Sequence, residues 1–207
     1  MEAFKIPIVH KIVNEEKLSC PRRLSVSYRP KHKPYFYVTG KTVDSKVMWK
    51  KDVAMIDVHE DPAAFTVNTW CKIDPCDDVH IHAGVQGFAA CEEDSYVIHL
   101  HGTTNILSYT CLLHHIELNS IKRYFPEIPD YRIGSNIPYE SKYETDHQNI
   151  QLAEVVTNTM NVNDLVVLEN HGLVAKGKNY EDVLQMITEL DYYCGIAVHD
   201  DVRMYHS

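Results

Sequence analysis

Two histidines separated by one residue, His99 and His101, end an apolar run that begins at Ser95. In an extended strand, residues two apart point to the same side, so both imidazoles could approach one metal ion. A third histidine, His171, follows about 70 residues later. Three protein nitrogens and an open position are typical of a catalytic zinc site, whereas four ligands close a structural one. The three histidines are therefore candidate ligands of a catalytic metal ion.

The chain has 13 histidines, so a chance pair is expected, and a buried histidine is more often a hydrogen-bonded core residue than a ligand. A second spaced pair, His80 and His82, falls at the start of a predicted helix. Positions two apart on a helix diverge by about 200°, so this pair cannot chelate one ion. Next to the third histidine, Gly172 is expected to let the backbone turn sharply at a strand end and present the ring.

Composition and length are those of a soluble globular protein, with 207 residues, 44% hydrophobic and 24% charged. No apolar stretch reaches the length of a membrane span, and Met1–Val13 lacks the features of a signal peptide. Six cysteines without a CxxC pair favour reduced thiols and a cytoplasmic location. Without a linker or an internal repeat, residues 1–207 are interpreted as one domain.

Charge is unevenly distributed along the chain. The net charge is −9, yet Pro21–Lys51 carries nine basic residues and one acid. This segment could be an anion site, a subunit contact or simply a solvated cationic surface. An acidic protein without a recognisable nucleic-acid module is not expected to bind nucleic acid.

Strands alternate with helices along the chain. β-branched and aromatic residues predict strands over 24–28, 34–39, 53–58, 64–70, 96–101, 164–169 and 175–177. Helical patterns cover 2–18, about 78–91, 103–113, 116–124, 145–160 and a last helix from Asn179. Several neighbouring strands resemble hairpins, so we expect an α/β fold with helices on both faces of a mostly antiparallel sheet.

Two segments resemble the signature blocks of the class II aldolase/adducin family. They are Val97–His101, followed by a helix, and Leu168–Leu184, which contains Asn170-His171-Gly172 and a capped acidic helix. The family includes fuculose-phosphate and rhamnulose-phosphate aldolases and ribulose-phosphate 4-epimerase. The resemblance extends over about residues 20 to 200 and implies a three-layer α/β/α sandwich, a homotetramer and a site at a subunit boundary.

By this resemblance, the ligands of one Zn²⁺ per subunit, or of another divalent metal, are His99, His101 and His171. The family's catalytic acid follows a Pro-Ser-Ser turn, and the matching segment Pro75–Asp78 places Asp78 at that position. Most aldolases of the family have glutamate there, whereas the epimerases have aspartate. A plain helix N-cap is the structural alternative for Asp78. Family members often use a C-terminal tyrosine, for which Tyr205 is the candidate.

The family's phosphate-binding motifs are replaced in this chain. The corresponding segments are Cys20–Ser25 and Val38–Thr42, and the two serines before the acid become Cys76 and Asp77. Arg22, Arg23 and Lys41 lie in the replaced segments and could bind phosphate or carboxylate by charge. The substrate could then be a sugar phosphate, a free sugar or a sugar acid.

These residues predict a zinc-dependent lyase. A substrate with neighbouring hydroxyl and carbonyl oxygens would chelate the metal, which stabilises the enediolate formed when a carbon–carbon bond breaks. A carboxylate beside the metal moves the proton. The enzyme alternatives are a 4-epimerase, a dehydratase or a decarboxylase. The non-catalytic alternative is an adducin-like association domain, although adducin-type domains lack the metal histidines.

Overall fold

The computed structural model describes residues 5–18, 24–41, 47–58, 65–67, 72–88, 92–101, 105–112, 116–139 and 146–204. Its centre is a seven-stranded sheet in which every strand pairing is antiparallel. The strands are β1 (Leu24–Arg29), β2 (Tyr35–Thr39), β3 (Val53–Val58), β4 (Phe65–Val67), β5 (Ser95–His101), β6 (Leu165–Leu168) and β7 (Gly172–Gly177). Their order across the sheet is β4-β3-β2-β1-β5-β7-β6.

Within the described residues, six α-helices cover the two faces of this sheet. They are α1 (Lys5–Glu15), α2 (Val79–Phe88), α3 (Asn105–Leu112), α4 (Ile121–Tyr124), α5 (Asp146–Met160) and α6 (Tyr180–Met204). Helices α2 and α5 pack on one face, while α1, α3 and α6 contribute to the core on the other. The expected α/β/α sandwich with an antiparallel sheet is confirmed.

Strand β5 shows how the sheet divides its side chains between the two layers. Tyr96, Ile98 and Leu100 belong to the core beneath α1 and α6, whereas Val97 packs with α2 and α5. Residues alternate in this way because successive side chains of a strand point to opposite faces. His99 and His101, two and four positions after Val97, therefore lie on the α2 side.

Most element boundaries agree with the sequence-based expectations to within three residues. The last helix begins at Tyr180, where Asn179 Oδ1 accepts a hydrogen bond from the Asp182 amide at 2.7 Å and caps the helix. Of the helix expected to continue to about Cys91, the described part is Val79–Phe88, and residues 89–91 lie outside the described residues. Of the strand expected over 64–70, the described part is Phe65–Val67. Among the described helices, none is both long and apolar enough to span a membrane.

Candidate metal centre

Strand β5 brings the first two histidines together at its C-terminal end. The rings of His99 and His101 have centroids 4.0 Å apart. His99 is fully buried, while the side chain of His101 keeps 17% of its surface exposed. His99 therefore lies inside the core, and His101 lies next to the protein surface.

The third histidine reaches this pair from the turn between β6 and β7. Asn170 adopts a left-handed conformation, with φ of 59°, and the His171 amide donates to the Leu168 carbonyl at 3.0 Å. Gly172 is the antiparallel partner of His101, so the register of β5 and β7 sets the preceding residue, His171, beside the strand end. One nitrogen from each of the three imidazoles lies within 4.8 Å of the others.

The role expected for Gly172 is different from the one that the structure shows. The left-handed residue of the turn is Asn170, and Gly172 already belongs to β7. A Cβ at position 172 would lie 2.0 Å from the Leu100 carbonyl oxygen. Glycine is therefore required here for the close approach of two strands and not for a sharp turn, and the expectation of a turn at Gly172 is wrong.

Asp78 precedes the first residue of α2 and faces the histidines. Its backbone carbonyl accepts from the amides of Ile81 and His82, as an N-cap residue's does. Its carboxylate is directed elsewhere, with Oδ2 3.0 Å from His101 Nε2 and 3.5 Å from His99 Nδ1. Asp78 thus occupies a helix N-cap position and also contributes its carboxylate to the histidine cluster.

The segment before α2 is held by the end of β2. The Lys41 amide donates to the Asp74 carbonyl at 2.7 Å, and the Cys76 amide donates to the Thr39 carbonyl at 2.9 Å. These two hydrogen bonds attach the backbone at Asp74 and Cys76, immediately before Asp78, to the end of β2. The position of the carboxylate is therefore determined by the sheet as well as by the helix.

Electrostatics favour an ionised carboxylate beside neutral imidazole. Burial opposes ionisation of Asp78, but its interactions with the His99 and His101 rings outweigh that effect and hold its pKa well below the usual value. Burial, followed by repulsion from His101, lowers the pKa of His99. Neutral imidazole is the form that binds a metal ion.

The three histidines fit the requirements of a metal ion. Both ring nitrogens of His99 are buried, and neither makes a hydrogen bond. Buried polar atoms are rarely left in this state, because the loss of hydration is not compensated. A cation held by the three imidazoles would supply the missing partner, and nitrogen donors of this kind suit zinc. The group could therefore bind a metal ion.

A cleft opens beside the cluster between α2, α5 and the segment that contains Tyr139. Its walls include Asp78, His171, His80, Tyr139, Ile81 and Leu152. The Tyr139 ring stacks on His171, with centroids 3.9 Å apart and planes inclined by 15°. Of the cluster, Asp78 and His171 line this cleft.

Sequence reasoning missed several residues of this site. Tyr139 lies in an irregular segment whose local pattern carries no signal. The Ser25 hydroxyl donates to the Asp78 carboxylate, and His82 is hydrogen-bonded to Ser25. For His82 the spacing in the sequence does carry a signal. Asp78 and His82 are four residues apart at a helix start, a spacing that places two side chains on the same face.

The predicted substrate-binding residues are only partly described. Lys41 Nζ lies 2.8 Å from Asp77 Oδ1, and both side chains are more than half exposed. This ion pair joins Lys41 to the residue that immediately precedes Asp78. Arg22, Arg23 and Tyr205 lie outside the described residues.

The fold and the cluster together define the class of protein. An antiparallel seven-stranded sheet between helical layers carries three histidines and a carboxylate at the end of β5, beside an open cleft. The sequence matches the family model of the class II aldolase and adducin N-terminal domain over residues 24–198. The chain belongs to this family.

Solved structures show the same fold. An L-fuculose 1-phosphate aldolase is 19% identical with a TM-score of 0.67, and the match covers 95% of this chain and 84% of that one. A sugar-phosphate aldolase from Thermotoga maritima is 16% identical with a TM-score of 0.74, covering 98% and 95%. The L-fuculose-1-phosphate aldolase from Thermus thermophilus is 14% identical with a TM-score of 0.67, covering 97% and 95%. A search of curated proteins finds no match.

Proposed function

We propose that the protein is a zinc-dependent aldolase, a lyase that cleaves a carbon–carbon bond in a sugar or a sugar-phosphate-like compound. The observation that carries this proposal is the convergence of His99, His101 and His171 next to Asp78, at the wall of an open cleft. Membership of the family supports an enzyme of the aldolase type. The presence of all three histidines disfavours a purely associative, adducin-like role.

Each residue of the cluster has a distinct proposed role. The three histidines would hold the ion, which when bound would supply Lewis acidity for the negative charge that develops on the substrate oxygens. Asp78 accepts and returns the proton, because its carboxylate lies beside the candidate metal ligands and lines the cleft. Tyr205 is proposed as the acid on the other side of the substrate.

The lining of the cleft combines polar and apolar groups. His80, Tyr139 and Asp78 offer polar groups, while Ile81 and Leu152 supply an apolar wall. Polar groups of this kind orient a ligand, and the apolar lining excludes water around it. Arg22, Arg23 and Lys41 are proposed to bind an anionic group of the substrate, either a phosphate or a carboxylate.

A 4-epimerase is the second candidate. The residue at the acid position is Asp78, and by the family pattern aspartate is typical of the epimerases and glutamate of most aldolases. Both reactions use the same metal and the same carboxylate. They differ in their products, since an aldolase releases two carbonyl fragments and an epimerase returns an isomer of equal mass.

We propose a homotetramer of one-domain subunits in the cytoplasm. Cys76 and Cys194, two cysteines whose side chains the structure describes, are free thiols, which agrees with a reducing compartment.

Metal analysis of the purified protein tests the proposal first. Protein prepared without chelators should contain about one zinc per chain, and His99→Ala and His171→Ala should lose it. His199→Ala, a change at an exposed histidine of α6, is the matched control and should keep its metal. Wild-type protein without any divalent metal would refute the zinc enzyme.

A substrate panel then separates the two candidate reactions. Phosphorylated ketoses, free ketoses and sugar acids should be incubated with the zinc-loaded protein, and the products analysed by mass spectrometry. Two fragments indicate the aldolase, and an isomer of unchanged mass indicates the epimerase. Lys41→Ala should raise KM for an anionic substrate, and an unchanged KM would remove Lys41 from the substrate site.

A further inference from the structure

A buried group of polar side chains lies behind Asp78, between β1 and α2. Ser25, Ser27, His82 and Gln86 each expose 3% of their surface or less. Burial of polar groups is unfavourable unless they are hydrogen-bonded. The alternation of β1 places the two serines on the face covered by α2, and the spacing of four residues places His82 and Gln86 on one side of that helix.

These side chains form one continuous chain of hydrogen bonds that ends on the candidate catalytic carboxylate. The Ser25 hydroxyl donates to Asp78 Oδ2 at 3.2 Å. His82 lies between the two serines, with Nε2 2.9 Å from Ser25 Oγ and Nδ1 2.9 Å from Ser27 Oγ. At the far end, the Gln86 side-chain amide donates to Ser27 Oγ at 2.9 Å.

The chemistry of the donors allows one direction along this chain. Ser25 also lies beside the Cys76 thiol, but sulfur is a weak acceptor, so the single proton of Ser25 goes to the ionised Asp78 carboxylate, which only accepts. Ser25 must then accept from His82, which requires the proton on Nε2. A neutral ring with a proton on Nε2 has a bare Nδ1, and this nitrogen accepts the proton of Ser27.

The hydrogen bonds at Gln86, the end of this hydrogen-bond chain that is far from Asp78, agree with the same donor-to-acceptor direction. The Gln86 amide nitrogen also lies 3.3 Å from the Ser95 carbonyl, which can only accept, so the amide group must face Ser27 as a donor. Burial lowers the pKa of His82 from 6.5 to about 3, which keeps the ring neutral. Neither an amide nor a carbonyl passes a proton to water, so the chain orients groups and does not carry protons out of the site.

We propose that His82 is a positioning residue that acts through Ser25 to hold the Asp78 carboxylate in its reactive orientation. The role of this carboxylate in proton transfer rests on the proposed function. The contribution of His82 does not require contact with substrate or metal. Residues behind a metal site commonly change its activity about tenfold to a hundredfold when they are removed.

Nitrogen-15 NMR of the metal-free protein tests the arrangement of protons without any substrate. At neutral pH, His82 should carry its proton on Nε2 and none on Nδ1. Asp78→Asn should shift the His82 Nε2–H signal, because the carboxylate that polarises Ser25 is lost, whereas Asp77→Asn should leave the signal unchanged. A proton on Nδ1, or equal effects of the two substitutions, would overturn the proposal.

Kinetics of the zinc-loaded protein test the consequence for Asp78. On any substrate that the panel identifies, Ser25→Ala and His82→Leu should lower kcat about tenfold to a hundredfold and leave KM within about twofold. His82→Gln keeps an N–H near the position of Nε2 and should recover most of kcat.

A matched control separates positioning from general damage to the core. His10 is buried on the other face of the sheet, with Nε2 2.8 Å from Thr39 Oγ1. His10→Leu therefore removes a comparable hydrogen-bonded histidine and should leave kcat unchanged. Equal losses of kcat in His10→Leu and His82→Leu, or no recovery in His82→Gln, would overturn the proposal. A protein without zinc or activity would refute the proposed function, and the NMR result would still decide the arrangement of His82.

Discussion

Gly172→Ala is expected to damage the histidine cluster through the backbone. The new Cβ would lie 2.0 Å from the Leu100 carbonyl oxygen and 3.0 Å from the Leu100 carbonyl carbon. Ordinary contact begins at 3.4 Å, so β5 and β7 would have to separate locally by about 1.4 Å. Hydrogen bonds between the strands weaken steeply over such a distance.

The size of the effect follows from that separation. Loss of two or three backbone hydrogen bonds at about 1 kcal/mol each lowers the free energy of unfolding by about 2–3 kcal/mol. Gly172 is paired with His101 and follows His171, so the same movement displaces two of the three candidate ligands. A site of this kind tolerates shifts of about 0.5 Å, and Zn²⁺ affinity should fall at least about tenfold.

Urea unfolding and zinc titration of the variant measure these two quantities. Gly195→Ala, in α6, is the matched control. Its Cβ would meet the end of the exposed Asn105 side chain, with Nδ2 at 2.9 Å, and this side chain can turn away. We expect it to lose less than about 1 kcal/mol and to bind zinc normally. If both variants are equally stable and bind zinc equally, the close approach of β5 and β7 does not explain the glycine.

Substitutions at three other positions test further parts of the structure. Burial lowers the pKa of His10 to about 3, so the unfolded chain takes up the proton first as the pH falls below about 6.5. The free energy of unfolding should therefore decrease toward pH 3 by up to about 1.4 kcal/mol per pH unit. Urea unfolding measured over this pH range should show a shallower dependence for His10→Leu. An unchanged slope would contradict the burial of a neutral ring. Asn170 has a left-handed backbone, so Asn170→Gly should be tolerated, whereas Asn170→Val should lower the free energy of unfolding by about 1–2 kcal/mol. Equal stability of the two variants would contradict a left-handed residue at this turn. Tyr139→Leu should weaken Zn²⁺ binding about twofold to tenfold, since a stacked ring contributes about 0.5–1.5 kcal/mol, and the exposed Tyr192→Leu should not. Equal affinities would remove Tyr139 from the site.

Local patterns were sufficient to predict most elements of the sheet. Strands β1 and β5 contain β-branched and aromatic residues in short runs, and every residue of β1 is buried, as in the centre of a two-sided sheet. The order of the strands could not be read in this way. Strand β1 pairs with β5, about 70 residues away, and this pairing depends on the helices that cover both faces.

The candidate ligands could be anticipated because their geometry is mainly local. His99 and His101 share a face by the two-residue repeat of a strand, and His171 lies next to the turn that joins β6 and β7. Tyr139 could not be anticipated, because its contact with His171 joins segments without a regular repeat.

The amino-acid order alone therefore specified the donor atoms: three imidazoles, one carboxylate and the strand that aligns two of the rings. The tertiary structure decided which groups surround them. It set Gly172 against the Leu100 carbonyl, and it placed Ser25 and His82 behind Asp78. The physical reason is the distance along the sequence between the interacting residues. The repeat of a strand or helix is set by the geometry of neighbouring residues. Contacts across the sheet arise only when burial of both faces brings distant segments together.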